Sequence, residues 1–491
     1  MYGISIEETD PIKRFSFNHF DGVSEGEKMN RLACELNRES RIPIYEQLYV
    51  FIKNEIMSGR LPYQTKLPSK RNLSDYLQIS QNTVDAAYQQ LVAEGYIEVL
   101  PRKGYYCLAS KDLEYIQPGE SCSEKRDEPG EQIIQSFHPS HIDVSVFPFK
   151  TWRRLAKDLI DFNNQDLLLL GDPFGEMELR REIATYLYHA RGVICEPRQI
   201  IIGAGLEILL QQLVLLFGSQ AKYGVENPGY QVMNRIMRHF PNKVQAVGVD
   251  EDGLKIDEVL QGNMDILYTT PSHHFPFGTV LSYNRRVQLL SWAAESNERF
   301  IIEDDYDSEF RYSGKSIPSL ASMDSFGKVI YFGSFSKSLM PSIRISFMVL
   351  PEELLSRYQE AGFGHSSVSR MDQHLLARFM RDGEFERHLN RMRKVYRRKL
   401  EIVLEHLKPH REILSVIGEK SGLHIALVVH NGMNEEQIKE RAREKGILLH
   451  TLSDYSIVKE DFPPTIVLGF AGIPEAELER AIARLLECLN G

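Results

Sequence analysis

No stretch of this 491-residue chain approaches 18 uninterrupted apolar residues, so no segment reads as a membrane-crossing helix. The opening "MYGISIEETD" lacks a basic start and an apolar core, which excludes a secretory signal peptide. Cysteine is scarce. The five residues Cys34, Cys107, Cys122, Cys195 and Cys488 are odd in number and scattered, which excludes a disulfide framework and a metal site built on paired cysteines. A reducing cytoplasm is the expected compartment. An apolar fraction of 42% beside a charged fraction of 26% excludes a disordered chain, and the length calls for two or three domains.

Positive charge is also short overall, with a net charge of -10. Taken whole, that argues against a nucleic-acid partner, but the charge is unevenly spread. Residues 40–110 carry eight Lys/Arg against six Asp/Glu, a balance of +2, which leaves -12 for the remainder. The basic residues also cluster, at Lys66/Lys70/Arg71 and at Arg102/Lys103. Phosphate attraction acts over a screening length of about 8–10 Å, so the local patch decides it rather than the total.

Four regions follow along the chain. Residues 1–39 are a polar extension, with Met29 expected as the natural start because "EGEK" ahead of it can be encoded by ribosome-binding purine-rich codons. Residues 40–110 read as helices ending in a hairpin. Residues 111–135, rich in Glu, Pro, Gly and Ser, read as a linker. Residues 136–491 alternate short apolar strands with amphipathic helices, the pattern of an α/β domain.

In the first folded region, "PIYEQLYVFIKNEIMSG" places Ile44, Leu48, Phe51/Ile52 and Ile56 on one helical face. A second helix starts after Ser69 and buries Leu73 and Leu77; a third starts after Ser80 and buries Val84, Ala87/Tyr88 and Leu91. The short join between them is helix-turn-helix spacing. A hairpin, Tyr96–Leu100 and Tyr105–Leu108, carries a basic tip at Arg102 and Lys103. In this geometry the start of the last helix meets base edges. Gln81 and Asn82 suit adenine and Thr83 suits a thymine methyl. Ser69, Lys70, Arg71, Arg102 and Lys103 are expected at phosphates. A three-helix bundle with a solvated face is the competing reading; the basic hairpin tip counts against it.

In the large region, strand ends collect the chemistry. "RQIIIGAGLEILLQQL" is a strand, a turn at Ala204 and Gly205, and a helix, whose first amides suit a phosphate. "AKYGVENPGYQ" offers Tyr230, "RFIIEDDYDSEF" runs into Asp304 and Tyr306, and "KVIYFGSFSKSLMPSIR" ends at Lys337 with Arg344 beyond. Ligands of such sheets bind beyond the strands' carboxyl ends. Together these residues make a set for pyridoxal 5'-phosphate. Lys337 is the aldimine lysine, which needs a partly desolvated amine. Asp304 faces the pyridine nitrogen and keeps it protonated. Tyr306 donates to the ring oxygen, and Tyr230 stacks on the ring. Arg344 grips the phosphate with the Ser334 and Ser336 hydroxyls. A serine acyl-enzyme reading of Ser334-x-x-Lys337 lacks its companion motifs.

"LPSKRNLSDYLQISQNTVDAAYQQLVAEGYIEVLPRKGYY" resembles the winged helix of GntR regulators, and "TTPSHHFPFG", "IIEDDYDSEF" and "GSFSKSLMPSIRIS" resemble the effector domain of their MocR subfamily. The resemblance implies a multidomain protein, an α-helical winged helix-turn-helix joined to an α/β fold-type-I aminotransferase-like domain. It implies operator DNA, a head-to-tail homodimer and a small-molecule effector, either a small amine or pyridoxal phosphate itself. An active aminotransferase with an accessory DNA-binding head is the alternative. The nearest likeness is to the GABA-responsive branch, which clamps the effector's carboxylate with two arginines. The matching positions here hold Val232 and Gly472, so a simple amino-acid effector is not expected. Phe275 stands where aminotransferases commonly carry Asn before a Pro, which implies at most residual transamination.

Overall fold

The computed structural model describes residues 36–40, 42–108, 133–314, 317–459 and 461–490. The expected start at Met29 and residues 111–132 of the expected linker lie outside the described residues. The chain divides into two units, Met1–Asp127 and Glu128–Gly491.

In the first unit, α1 (Ile44–Met57) turns Leu48, Ile52 and Ile56 inward. The Ser69 hydroxyl caps α2 (Lys70–Leu77) by accepting from the Asn72 amide at 3.2 Å, and Ser80 caps α3 (Gln81–Ala93) by accepting from the Thr83 amide at 3.1 Å. These hydroxyls satisfy amides that have no partner within the helix. Leu48, Ile52, Leu73, Val84, Tyr88 and Leu91 close one core, and the buried Tyr88 hydroxyl donates to the Pro68 carbonyl at 3.0 Å. Strands β1 (Ile97–Leu100) and β2 (Gly104–Cys107) pair antiparallel, Ile97 opposite Cys107. The hairpin lies one residue off the expected bounds because Arg102, at φ 65°, takes the left-handed position of a tight turn and lets Gly104 pair with Leu100.

The second unit is built on an eight-stranded sheet: β3 (Ile200–Gly203), β4 (Tyr223–Asn227), β5 (Val244–Asp250), β6 (Gly253–Leu254), β7 (Ile266–Thr269), β8 (Phe300–Asp304), β9 (Val329–Ser334) and β10 (Ser346–Val349). Their spatial order is β3-β10-β9-β8-β7-β4-β5-β6. Runs such as Ile200-Ile201-Ile202 and Phe300-Ile301-Ile302 are buried, as strands covered on both faces must be. Strands β4, β5, β7, β8 and β9 pair in parallel, but β10 runs antiparallel between β9 and β3. The segment between Ser334 and Ser346 is too short for the crossover of about a dozen residues that a parallel neighbour requires. The chain therefore turns back at the same edge, and Arg344 ends up beside the strand ends that carry Asp304 and Lys337.

The long helix α6 (Glu384–Leu407) follows the shorter α4 (Leu206–Phe217) and α5 (Phe335–Ser338) in the chain. It packs, with α7 (Glu475–Leu489), on a second sheet of β11 (Leu414–Ile417), β12 (His424–Val429), β13 (His450–Thr451) and β14 (Thr465–Gly469), ordered β11-β12-β14-β13. The stretch expected to end the linker at 135 already belongs to this unit: Gln135–Ser136 pair in parallel with Ile447–Leu448. Lys399 of α6 is fully buried and donates to Asp143 at 2.6 Å and to the Ala471 carbonyl at 2.8 Å, tying this entering segment to the end of β14. Replacing Lys399 with Met leaves Asp143 without its cation and is expected to destabilise the unit by about 3 kcal/mol, read from its urea unfolding transition.

Candidate functional site

The carboxyl ends of β3, β4, β8 and β9 and the amino end of β10 open on one pocket. It is lined by Tyr230, Asp304, Tyr306, Ser334, Ser336, Lys337 and Arg344, seven residues that sequence reasoning had chosen separately. Lys337 projects from α5 and its Nζ donates to the Pro139 carbonyl at 3.2 Å. Lys337 is half-buried in the pocket wall, and desolvation lowers its amine pKa to about 8, with Asp307 opposing. Asp304 accepts from the Tyr268 hydroxyl on neighbouring β7. Burial pushes its carboxyl up to about 7 against that hydrogen bond, helped by the nearby carboxylates of Asp305, Glu226 and Asp307. A buried carboxyl with one neutral donor is suited to a cationic N–H facing it from the pocket.

Tyr306 Oη lies 2.9 Å from His273 Nδ1, and the same nitrogen lies 2.9 Å from Asp307. An ionised carboxylate only accepts, so Nδ1 carries its hydrogen toward Asp307. Tyr306 then shares that N–H as an acceptor, and its own O–H is left to donate into the pocket. Tyr230 sets its ring edge-to-face with Phe275 at 5.7 Å, and burial pushes its hydroxyl up to about 12.

Arg344 sits at φ 49° and its Nη2 donates to Glu207 at 2.9 Å. Any Cβ at position 205 would lie 2.2 Å from that Nη2, and Gly205 has φ 97°, so glycine lets the guanidinium close over the turn. The Ser346 hydroxyl donates to Ser334 at 2.9 Å, and the Ser336 amide donates to the same oxygen at 3.2 Å. Guanidinium, hydroxyls and the start of α4 make a cup of phosphate character. The amides of Ala204 and Gly205 do not serve it: they donate to Ser367 Oγ at 2.9 Å and to the Gly203 carbonyl at 2.8 Å. Leu206 and Glu207, one step further on, line the pocket instead. Both partners of the Arg344–Glu207 pair are more than a third exposed, so the pair is weak and an incoming phosphate displaces it at little cost. The residues present therefore fit pyridoxal phosphate.

Sequence reasoning assigned no role to Tyr268, His273, Glu207, Ser346 or the Pro139 carbonyl. Glu207, His273 and Ser346 stand inside the motifs given above; Tyr268 and Pro139 had no signal, because their partners Asp304 and Lys337 lie 36 and 198 residues along the chain. Of the two positions that match carboxylate-clamping arginines, Val232 is buried, and Gly472 is packed so closely that a Cβ there would meet the His141 Cβ at 2.4 Å.

On the first unit, Gln81, Asn82, Arg71, Arg102 and Lys103 are exposed. Thr83 is half-buried and its hydroxyl lies 2.8 Å from that of Ser80. Lys70 forms an ion pair with Asp85 of α3 and lies over the Tyr105 ring, so its charge is partly committed within the domain.

Residues 44–107 match the gntR family of bacterial regulatory proteins, and residues 142–485 match aminotransferase class I and II. The chain is 42% identical to the HTH-type transcriptional regulator YdeL of Bacillus subtilis, over 92% of this chain and 97% of that one. It is 30% identical to the "Probable rhizopine catabolism regulatory protein MocR" of Rhizobium meliloti, covering 92% and 94%. It is also 30% identical to the pyridoxine biosynthesis transcriptional regulator PdxR of Corynebacterium glutamicum, covering 94% and 99%. Among solved structures, a Pyrococcus horikoshii kynurenine aminotransferase shares the fold with a TM-score of 0.66 at 24% identity, over 74% of this chain and 91% of that one.

Two outcomes are expected. An amine with a pKa near 8 is neutral, and so able to attack a carbonyl, at a lower pH than an ordinary lysine. The rate at which the cofactor-free protein takes up pyridoxal phosphate should rise through a midpoint near pH 8 in stopped-flow absorbance; a midpoint above pH 10 contradicts this assignment. Arg71→Ala should weaken DNA binding and lower its salt slope by about 1, whereas Lys70→Ala, whose charge Asp85 already engages, should change the slope less in the same fluorescence-anisotropy titration.

Proposed function

This chain belongs to the MocR subfamily of gntR-type transcription regulators, with a DNA-binding helix-turn-helix domain and an aminotransferase-like domain that binds pyridoxal phosphate, and we propose that the pocket around Lys337 is its sensor. The cofactor, when bound, supplies a carbonyl that condenses reversibly with primary amines and an electron-withdrawing ring. In this reading Lys337 offers the anchoring amine, and Asp304 holds a proton at the ring nitrogen. Tyr306 donates to the ring oxygen, Tyr230 flanks the ring, and Arg344 with Ser334, Ser336 and Ser346 holds the phosphate. Two chains pair head to tail and set their recognition helices on two operator half-sites. The effector is a small amine or the cofactor itself.

The observation that carries this reading is the hydrogen bond from Lys337 Nζ to the Pro139 carbonyl. Pro139 lies on the first described segment of the domain, which follows the DNA-binding unit in the sequence. Just upstream, the Phe137 amide donates to the Leu448 carbonyl at 3.1 Å, the Phe137 carbonyl accepts from the Gly469 amide at 2.9 Å, and Gln135 and Ser136 pair with Ile447 and Leu448. When the Lys337 amine is engaged elsewhere, Pro139 loses this donor. The entering segment then has two hydrogen-bonding states, set by what occupies the lysine. An effector that prefers one state tenfold shifts the balance by about 1.4 kcal/mol.

The test is wild-type protein beside Lys337→Ala, each checked for folding by circular dichroism, with absorbance and operator binding measured with and without pyridoxal phosphate. The wild type should show a cofactor band and a change in operator affinity on loading. The variant should lack both while still binding DNA. A variant whose operator affinity responds as the wild type does would remove Lys337 from the switch. Multiple turnovers with amino donors and 2-oxoglutarate, at roughly 1 per second or faster, would make the domain an enzyme instead.

A further inference from the structure

Resting on the reading that Tyr306 serves the cofactor's ring oxygen, we propose that His273 is a positioning residue: its one N–H, committed to Asp307, fixes the direction in which the Tyr306 hydroxyl donates. His273 follows β7, and Tyr306 and Asp307 follow β8, so the three meet where two neighbouring parallel strands end. The imidazole is 3% exposed and the Asp307 side chain 1%. Nδ1 lies 2.9 and 3.1 Å from the two Asp307 oxygens and 2.9 Å from Tyr306 Oη. A single hydrogen on Nδ1 is shared between these acceptors.

Packing on the far edge of the ring decides the tautomer. A Cβ at Gly278 would lie 2.9 Å from Nε2, and one at Gly422 would lie 2.0 Å from Cε1 and 2.7 Å from Nε2. Both glycines have positive φ, 70° and 84°, and their backbones close on that edge. Nε2 is buried, and among the described residues it has no hydrogen-bond partner. A hydrogen there would be a buried donor without an acceptor, and the Nδ1 lone pair would face the Asp307 carboxylate. Both costs vanish when the hydrogen sits on Nδ1. Turning the ring over would put a carbon where Asp307 and Tyr306 are now met. Gly422 is itself held, two residues before β12: its amide donates to the Phe310 carbonyl at 2.7 Å, and its carbonyl accepts from the Tyr312 hydroxyl at 2.7 Å. The ring is therefore clamped between the ends of the large sheet and the entry to the second sheet.

With Nδ1 donating, Tyr306 Oη accepts on the His273 side and its own hydrogen is directed to the pocket that it lines. With the opposite tautomer the hydroxyl would donate to Nδ1 and turn away from the pocket. His273 stands behind the pocket wall and acts through Tyr306. A hydroxyl that donates to the ring oxygen stabilises its anionic form, and so lowers the pH at which the bound cofactor's visible band changes.

The experiment loads full-length protein with pyridoxal phosphate and records the pH midpoint of that band by absorbance. Tyr306→Phe removes a hydrogen bond to a charged oxygen and should raise the midpoint by about one pH unit. His273→Asn keeps an N–H at the place of Nδ1 and should stay near wild type. His273→Gln moves the amide to the place of Nε2 and should raise the midpoint as Tyr306→Phe does. Added to Tyr306→Phe, the two His273 variants should give the same midpoint. A purely structural role would weaken cofactor binding without separating Asn from Gln in this way. Should His273→Gln not hold the cofactor, Asp307→Asn takes its place, because it removes the acceptor that fixes the tautomer. Tyr306→Phe should then raise the midpoint less than half as much in the Asp307→Asn background as in wild type, a difference from which the direct effect of the lost charge cancels. If Tyr306→Phe moves the midpoint but the His273 variants do not differ, or differ equally without the Tyr306 hydroxyl, the positioning role is overturned and the Tyr306 reading stands. If Tyr306→Phe leaves the midpoint in place, the Tyr306 reading fails and takes this proposal with it.

Discussion

The pocket depends on one constraint, the desolvation of a lysine and a carboxyl that are not paired with each other. Lys337 donates to a carbonyl and Asp304 accepts from a tyrosine, so neither is neutralised by an opposite charge. Burial then drives the two pKa values toward each other, the amine down to about 8 and the carboxyl up to about 7. Both groups can thus exchange a proton near neutral pH. A salt bridge between them would have locked both in their charged forms and left a pocket with no reactive amine.

Keeping them apart is a matter of sheet geometry. In "IIEDDYD" the strand's alternation sends neighbouring acids to different environments. The Glu303 carboxylate accepts from the Leu320 and Ala321 amides at 2.7 and 2.8 Å, and Asp305 pairs with buried Arg191 at 2.6 Å. Asp307 holds His273, and Asp304 faces the pocket. Three of the four acids are structural: they bind adjoining loops and helices to the end of β8. That framework lets the fourth stay without a cation. The antiparallel return of β10 completes the arrangement by carrying Arg344 back to the same edge.

The same division of labour holds in the DNA-binding unit. Ser69 and Ser80 were legible as helix caps because a cap is a local event: the hydroxyl and the amide it accepts from lie within three residues. The pairing of Lys70 with Asp85 was not legible, since it joins α2 to α3 and depends on how the helices cross. The amides at Ala204 and Gly205 show the opposite failure. A glycine-rich turn before a helix looks like a phosphate site in any sequence, but Ser367, more than 160 residues away, takes one of the two amides.

By itself the sequence determined the order of helices and strands, the caps, the apolar runs that must be buried, and the identities of the lysine, aspartate, tyrosines and arginine at strand ends. These follow from local periodicity and from the few residue types that can perform each task. Only the tertiary structure decided which acids are spent on the framework, that Lys337 reaches the Pro139 carbonyl on the entering segment, and that Glu207 and His273 stand behind Arg344 and Tyr306. Those outcomes rest on contacts between residues distant in the chain, and on burial, which no local pattern encodes.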